Sequence, residues 1–402
     1  MSKILDLIQK ETTRQAQTIR LIASENYASE DILSALGSSL TNKYSEGYPQ
    51  SRYYEGQEFI DQIELIAIEN AKKLFQAQFA NVQAYSGSPA NLAVYFALLQ
   101  PYDTILGLSL SSGGHLTHGH KVSISGKWLN SISYGLTPEG HINYNEIEAL
   151  AQEHKPKLII SGHSAYPRQI DFKRIGDIAK SIGAYHLADI SHISGLVATG
   201  LHPHPFPAAD IITTTTHKIL RGPRGALILT NNEELAKKID KAVFPGLQGG
   251  PHNNNIAGIA IALEDALKPE YTEYCKQVIQ NAKALGNALQ ERDFNIVSGN
   301  TENHLLLLDL RNKNIDGDTL SKALNKVNIE TNKNTIPFDT ASPFKPNGIR
   351  LGTPAITTLG LKEQDMQIIA EFIHQVVENI HNTEKLAAIK VKVIEFISKF
   401  NK

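Results

Sequence analysis

Residues 157–189 read KLIISGHSAYPRQIDFKRIGDIAKSIGAYHLAD. Lys157–Ile160 and Tyr185–Ala188 are apolar runs of strand length. Between them, FKRIGDIAKSIG sets Ile175, Ile178, Ala179 and Ile182 on one helical face, with Gly183 as the stop. Apolar strand, helix, apolar strand is the repeating unit of an α/β fold whose sheet is mostly parallel. Thr104–Leu108, Ile211–Thr215 and Ala226–Leu229 are further strand candidates. A helix is predicted over about 57–75, with Phe59, Ile60, Ile63, Ile66 and Ala67 as its apolar positions.

After Pro251 the texture changes. IAGIAIALEDAL and YTEYCKQVIQNAKALGNALQERD read as two helices. Asn295–Ser298, the apolar run His304–Leu310, the helical DGDTLSKALNKV and a strand at Gly348–Gly352 follow, and helices over about 362–381 and 384–400 close the chain. The chain thus divides into an N-terminal helix and arm (1–56), a larger α/β domain (57–265) and a smaller α+β domain (266–402). The first helix is expected from Ser2, as N-cap, to about Leu21, with Ile4, Leu5 and Ile8 at helical spacing. Residues 23–56 are polar and turn-rich, with Tyr27, Tyr44, Tyr48, Tyr53 and Tyr54 beside Glu25, Glu46 and Arg52. A long irregular segment of this kind lines a site, meets a second copy of the chain, or does both.

The 402 residues carry 39 Lys and Arg against 41 Asp and Glu, a formal charge of −2. That balance argues against a protein built to grip nucleic acid or anionic lipid, which needs a basic surplus. The single cysteine, Cys275, excludes an internal disulfide and any multi-Cys zinc site. The N-terminus lacks the pattern of a secretory signal, and no apolar run reaches the ~18 residues of a membrane span. The expectation is a soluble cytoplasmic protein with no membrane or nucleic-acid partner. The C-terminal KLAAIKVKVIEFISKF carries a stripe of Leu386, Ile389, Val393, Ile397 and Phe400. Such a stripe packs on its own domain more often than on a membrane.

In open α/β sheets, ligands sit at the carboxyl ends of strands. Ser164 follows the Lys157–Ile160 run, Asp189 and His192 follow Tyr185–Ala188, and His217 and Lys218 follow Ile211–Thr215. Lysine with aspartate, without a metal-ligand set or a nucleophilic cysteine, suits a lysine Schiff base to an aldehyde cofactor whose ring nitrogen the Asp keeps protonated. That is the pyridoxal phosphate arrangement. It also calls for a phosphate cradle, which Ser86-Gly87-Ser88-Pro89 offers ahead of the helical ANLAVYFALL. The Gly249-Gly250-Pro251 turn could complete the cradle from the same or a partner chain. An amino-acid substrate needs an arginine fork for its carboxylate, and Arg350, Arg224 and Arg52 are candidates. His115, His118 and His120 in GGHLTHGH, and His202 and His204 in HPHPF, have no acidic partner at metal-ligand spacing. No metal is therefore assigned, and His115 suits stacking on a planar ring.

The chain resembles the serine hydroxymethyltransferases over essentially its whole length. The matching motifs are LIASEN (21–26), LTNKYSEGYP (40–49), RYYEG (52–56), SGSPAN (86–91), GGHLTHG (113–119), SAYPR (164–168), ADISH (188–192), TTTTHKILRGPRG (213–225), FPGLQGGP (244–251) and IRLGTPA (349–355). The resemblance implies a fold-type I pyridoxal phosphate-dependent transferase. Its large domain would hold a mostly parallel seven-stranded sheet. The implied reaction interconverts L-serine and glycine and passes the one-carbon unit to tetrahydrofolate, the co-substrate. It implies Lys218 as the Schiff-base lysine, with His217 beside it tied to substrate specificity. Asp189 would pair with the pyridine nitrogen, His115 stack on the ring, and Ser164 and His192 lie near the ring hydroxyl. Ser86, Gly87 and Ser88 would hold the phosphate, with Tyr44 and Gly250 reaching over from the other subunit of a homodimer. Arg350 and Ser24 would bind the substrate carboxylate, Tyr54 would lie near the reacting atoms, and Glu46 would manage a proton at the serine hydroxyl. Leu110, Gly114, His115, Leu116, Asn334, Ser342, Pro343 and Phe344 match folate positions, with Tyr53 and Phe244 beside them. Glu55 stands where the family usually has Gly, His163 where a small residue or Phe is commoner, and Ser112 where His is frequent.

Overall fold

A computed structural model describes residues 2–400. Seven strands form the central sheet: β1 Phe79–Asn81, β2 Thr104–Leu108, β3 Asn130–Tyr134, β4 Leu158–Gly162, β5 Tyr185–Asp189, β6 Ile211–Thr215 and β7 Ala226–Thr230. Their spatial order is β1-β7-β6-β5-β4-β2-β3. The five from β6 to β3 pair in parallel, and β7 pairs antiparallel with both β6 and β1. The α/β class expected from the sequence is the one observed. Every residue of β4, β6 and β7 is buried, because helices cover both faces. Ile159 faces a core shared with Phe172, Ile175 and Ile178. Its neighbours Leu158 and Ile160 face the opposite core, with Val94 and Tyr95.

Two strands of the central sheet escaped the sequence reading. β1 and β3 are the edges of the sheet, and their segments FAN and NSISY are only partly buried. The helix predicted over 57–75 runs Glu58–Leu74, but its buried face is Ile60, Glu64, Ala67, Ala71 and Leu74. Phe59 and Ile66 point outward. The first helix spans Lys3–Ala16, with Ser2 Oγ accepting from the Ile4 N–H, and buries no residue. It stops short of Leu21 because Ile19–Arg20 pairs in parallel with Ile329–Glu330. Asn328 Nδ2 also donates to the Gln17 carbonyl at 2.9 Å, and Ile19 and Leu21 are fully buried. A contact more than 300 residues away in the chain overrides local helix propensity here.

A second, antiparallel sheet has strands β8 Asn295–Ile296, β9 Leu305–Asp309, β10 Asn332–Asn334 and β11 Gly348–Gly352, in the order β8-β9-β11-β10. Helix Pro269–Gln290 belongs to two cores: Tyr271, Cys275 and Val278 pack under the central sheet, and Leu285, Ala288 and Leu289 under the second one. The closing helix Thr383–Ser398 buries Leu386, Ile389, Val393 and Ile397 in that second core. Its apolar stripe is thus internal. Among the described residues no helix is long and apolar enough to cross a membrane.

The irregular arm is pinned by one residue. Arg52 Nε donates to Asp61 Oδ1 at 2.9 Å and Nη2 to Glu64 Oε2 at 2.6 Å, while Nη1 donates to the carbonyls of Ser45 and Gly47. All three nitrogens of this guanidinium are engaged and two of them hold carboxylates, so Arg52 is not a free carboxylate fork and that candidacy falls. Glu64 is buried, and burial pushes its carboxyl up against the pull of Arg52. Arg52→Met is expected to cost about 3–5 kcal/mol by leaving buried carboxylate without its cation, and Arg52→Met/Glu64→Leu to recover most of that loss. Chemical denaturation of the two variants checks this, and equal losses in both would contradict it.

Candidate active site

The residues expected at strand ends converge. One pocket of about 310 Å3 is lined by Ser24, Ser86, Gly87, Ser88, His115, Ser164, Asp189, His192, His217 and Lys218. It lies at the carboxyl ends of β4, β5 and β6. Asp189 is the last residue of β5 and is buried. Its Oδ2 accepts from Asn91 Nδ2 at 2.9 Å and His118 Nε2 at 3.1 Å, and its Oδ1 accepts from the Ser191 N–H at 3.1 Å. Burial alone would raise this carboxyl, but His118, His115 and Ser191 outweigh it and hold it well below the carboxylate range. Asn91 is itself fixed, since Thr213 Oγ1 donates to its Oδ1 at 2.7 Å.

Lys218 follows β6 on a loop that Thr216 shapes by donating to the Pro223 carbonyl at 2.7 Å. Its amine has no hydrogen-bond or ion-pair partner among the described residues. Burial lowers it to about 8; Asp189 opposes that fall, and Arg350 and Arg224 add to it. His217 and His115 are pushed down to about 3 and about 4, in both cases chiefly by burial. Both rings are therefore neutral at pH 7. His115 Nδ1 accepts from the Thr117 N–H at 3.2 Å.

Helix Gly87–Leu98 begins at the pocket. Its N-cap residue Ser86 makes no side-chain capping bond, which leaves first-turn N–H groups for an anion. A Cβ on Gly87 would lie 2.7 Å from Thr215 Cγ2, so only glycine permits this approach of helix start to β6. Arg350 comes from β11 and is buried without any carboxylate partner among the described residues. Its Nε donates to Asn332 Oδ1 at 3.0 Å and its Nη1 to the Ser164 carbonyl. Burial lowers it to about 10. A buried, uncompensated guanidinium is costly unless an anion arrives. Arg350 lies beside the pocket through Ser164 and is not one of its lining residues, whereas Arg224 is.

A wider cleft of about 620 Å3 adjoins the pocket and shares His115 and Ser164 with it. Leu110, Gly114, Leu116, Asn334 and Pro343 line it, while Ser342 and Phe344 do not, and Phe344 is exposed. A separate group stays outside both. Tyr54 Oη donates to Glu46 Oε2 at 3.2 Å, and the Tyr44 and Tyr54 rings meet edge to face. A Cβ on Gly250 would touch the Tyr44 ring at 3.1 Å, and Tyr53 packs edge-on to Phe244. Tyr44, Tyr53 and Tyr54 are exposed, and none of Tyr44, Glu46, Tyr53, Tyr54, Phe244 and Gly250 lines the Lys218 pocket.

Sequence reading overlooked Asn91, Ser191 and Thr215, and treated His118 only as a metal candidate. His115, His118 and Asp189 do bring ligand atoms within 4.8 Å of one another, but His118 Nε2 is committed to Asp189 and its Nδ1 accepts from the His115 N–H. The signal was available for Asn91, which sits one helical turn into the SGSPAN motif. The His118 to Asp189 bond spans 71 residues and leaves no local trace.

The serine hydroxymethyltransferase family model matches residues 2–373. A serine hydroxymethyltransferase of Desulfotalea psychrophila is 56% identical over 398 residues, covering 99% of this chain and 93% of that protein. Those of Rickettsia canadensis and Endomicrobium trichonymphae are each 55% identical, over 99% of this chain and 95% and 96% of theirs. With its strand-end lysine and aspartate set in one pocket, the chain belongs to the serine hydroxymethyltransferase family of pyridoxal phosphate-dependent transferases.

Proposed function

We propose that this chain is a glycine hydroxymethyltransferase of one-carbon metabolism. It interconverts L-serine and glycine, with tetrahydrofolate taking the one-carbon unit as 5,10-methylenetetrahydrofolate and pyridoxal phosphate held at Lys218. The observation that carries the reading is a partnerless buried amine and a buried, triply hydrogen-bonded carboxylate in one pocket beneath an uncapped helix start. The donor set fits the cofactor. The Ser86–Ser88 backbone and side chains suit its phosphate, the Lys218 amine its aldehyde carbon, and Asp189 its pyridine nitrogen. When bound, pyridoxal phosphate supplies an electron sink for the pair released at the amino acid's Cα.

Each residue then has a bounded task. Asp189 keeps a proton on the ring nitrogen, and Asn91, His118 and Ser191 keep Asp189 ionised. His115, neutral and tied to Thr117, stacks on the ring, while Ser164 and His192 attend its hydroxyl. Arg350 and Ser24 bind the substrate carboxylate, and His217 shapes the space beside Lys218. The adjoining cleft takes the folate against Leu110, Gly114, Leu116 and Asn334, with Ser342, Pro343 and Phe344 at its mouth. Glu46, assisted by Tyr54, holds or moves the proton at the serine hydroxyl. Those two, with Tyr44, Tyr53, Phe244 and Gly250, lie outside the pocket of their own chain, so they serve the site of a second copy in a homodimer. The free, buried thiol of Cys275 suits the reducing cytoplasm.

The first test is absorbance. Pyridoxal phosphate is expected to turn the protein yellow, with capture rising through a midpoint near pH 8, because only the neutral Lys218 amine is a nucleophile and its proton leaves near there. Lys218→Ala should stay colourless. Glycine with tetrahydrofolate should add a long-wavelength band that glycine alone barely gives; no folate response would instead support an aldolase for β-hydroxy amino acids. Arg350→Ala should still turn yellow but raise KM for serine by about 10²–10³-fold, the cost of losing one partner of a buried charge pair. An unchanged KM would remove Arg350 from carboxylate binding. Finally, Lys218→Ala and Glu46→Gln subunits, each inactive alone, should recover about a quarter of the normal sites when co-expressed, since each hybrid dimer rebuilds one complete site. No recovery would place both residues in one chain's site.

A further inference from the structure

Three histidine rings stack behind the pocket. His192 lies between His163 and His304, with ring centroids 6.4 and 5.5 Å apart and planes inclined by 29° and 23°. All three are buried. His192 and His163 line the pocket, but His304 does not. His304 is fully buried immediately before β9 and reaches His192 from the edge of the second sheet: His192 Nδ1 and His304 Nε2 are 3.3 Å apart. His304 Nδ1 has no hydrogen-bond partner. Burial, with Lys218 and Arg350 nearby, pushes both rings down, His304 to about 3. Each ring is therefore neutral and carries a single N–H.

One proton must lie between His192 Nδ1 and His304 Nε2. If His192 carried it, His304 would bear its own N–H on Nδ1, where it is buried and has no acceptor. If His304 Nε2 carries it, His304 Nδ1 is only a bare acceptor, and His192 must hold its proton on Nε2, the nitrogen left for the pocket. Buried orphan N–H groups are rarer than under-used acceptors, and an unmade donor costs more. The second arrangement wins.

We infer that His304 is a positioning residue, whose Nε2–H fixes His192 as the Nε2–H tautomer and so makes His192 a neutral donor to an oxyanion in the pocket. This rests on the function proposed above for the oxyanion's identity: the amino acid's carboxylate or the cofactor's ring oxygen. The neutral donor adds a hydrogen bond without a further positive charge beside Lys218, Arg350 and Arg224.

The tautomer is read directly by ¹⁵N NMR of the histidine-labelled, cofactor-loaded protein, with His192→Asn identifying the resonances. The expected spectrum has His192 Nε2 protonated and Nδ1 bare; a protonated Nδ1 overturns the proposal. His304→Phe keeps the ring volume and removes the donor, and should mix the His192 tautomers and raise KM for serine or glycine about tenfold or more with a smaller change in kcat. His304→Gln, which restores an N–H near the same point, should bring KM back to within about threefold. A His304→Phe protein with an unchanged tautomer and KM also overturns the proposal. A shift of the Nε2–H signal on loading cofactor assigns the ring oxygen as acceptor; a shift only on adding glycine assigns the carboxylate. If the protein captures no pyridoxal phosphate, the proposed function fails, but the ring-nitrogen spectrum of the free protein still decides the role of His304.

Discussion

A buried carboxylate constrains everything around it. Asp189 ends the central strand β5, buried but facing the pocket, and is held ionised against that burial by three converging donors. Leaving such a charge unpaired would cost several kcal/mol. The donors are themselves held. Asn91 is oriented by Thr213 of β6, and the Ser191 hydroxyl accepts from the Thr215 N–H at 3.1 Å. The run of four threonines at 213–216 is thus a polar scaffold at the end of β6 and the start of the loop after it. Thr213 aims Asn91, Thr215 holds Ser191, and Thr216 shapes the loop that presents Lys218. Aspartate and lysine are placed by the same strand pair, which is why they can work as a unit.

How much of this could be read from the chain follows from where each signal lives. The β4–helix–β5 unit was plain because its apolar residues obey one period and are buried by their neighbours in sequence. The strand ends then pointed to Ser164, Asp189, His192 and Lys218 with no knowledge of the fold beyond parallel strands. Edge strands β1 and β3 were missed because half-exposed strands keep polar residues such as Asn130, Ser131 and Ser133 and so lose their pattern. The first helix ends early because of pairing with Ile329–Glu330, which no local window can see. Arg52 looked like a ligand-binding fork, since an arginine in a tyrosine-rich loop reads the same whether it meets a substrate or Glu64. The roles of Glu46 and Tyr44 came only from resemblance.

The arm shows how structural and functional demands separate. Arg52 ties Ser45 and Gly47 to helix Glu58–Leu74, so the loop between them is held rigidly. Gln57 Nε2 donates to the Tyr44 carbonyl at 2.9 Å, and Tyr85 Oη to the Gly250 carbonyl at 2.7 Å. Backbone is anchored while the Tyr44, Tyr53 and Tyr54 rings stay exposed. Large aromatic side chains held outward on a fixed backbone lose little entropy on binding. That arrangement suits docking onto a preformed partner better than folding back over the chain's own pocket.

Charge decides what the pocket accepts. Lys218, Arg350 and Arg224 line or flank it, against Asp189 alone, because the other nearby acid, Glu25, is paired with Arg20 at 2.9 Å. The histidines do not add to the excess. His115, His192, His217 and His304 are all held neutral, mainly by burial, with the neighbouring cations adding to the effect for each. The surplus is positive and spread over two positions, near the start of helix Gly87–Leu98 and beside Arg350. A ligand pair with a phosphate at one end and a carboxylate at the other neutralises both. Neutral imidazoles leave the positive surplus of the pocket to Lys218, the two arginines and the uncapped helix start, all of which favour an anion.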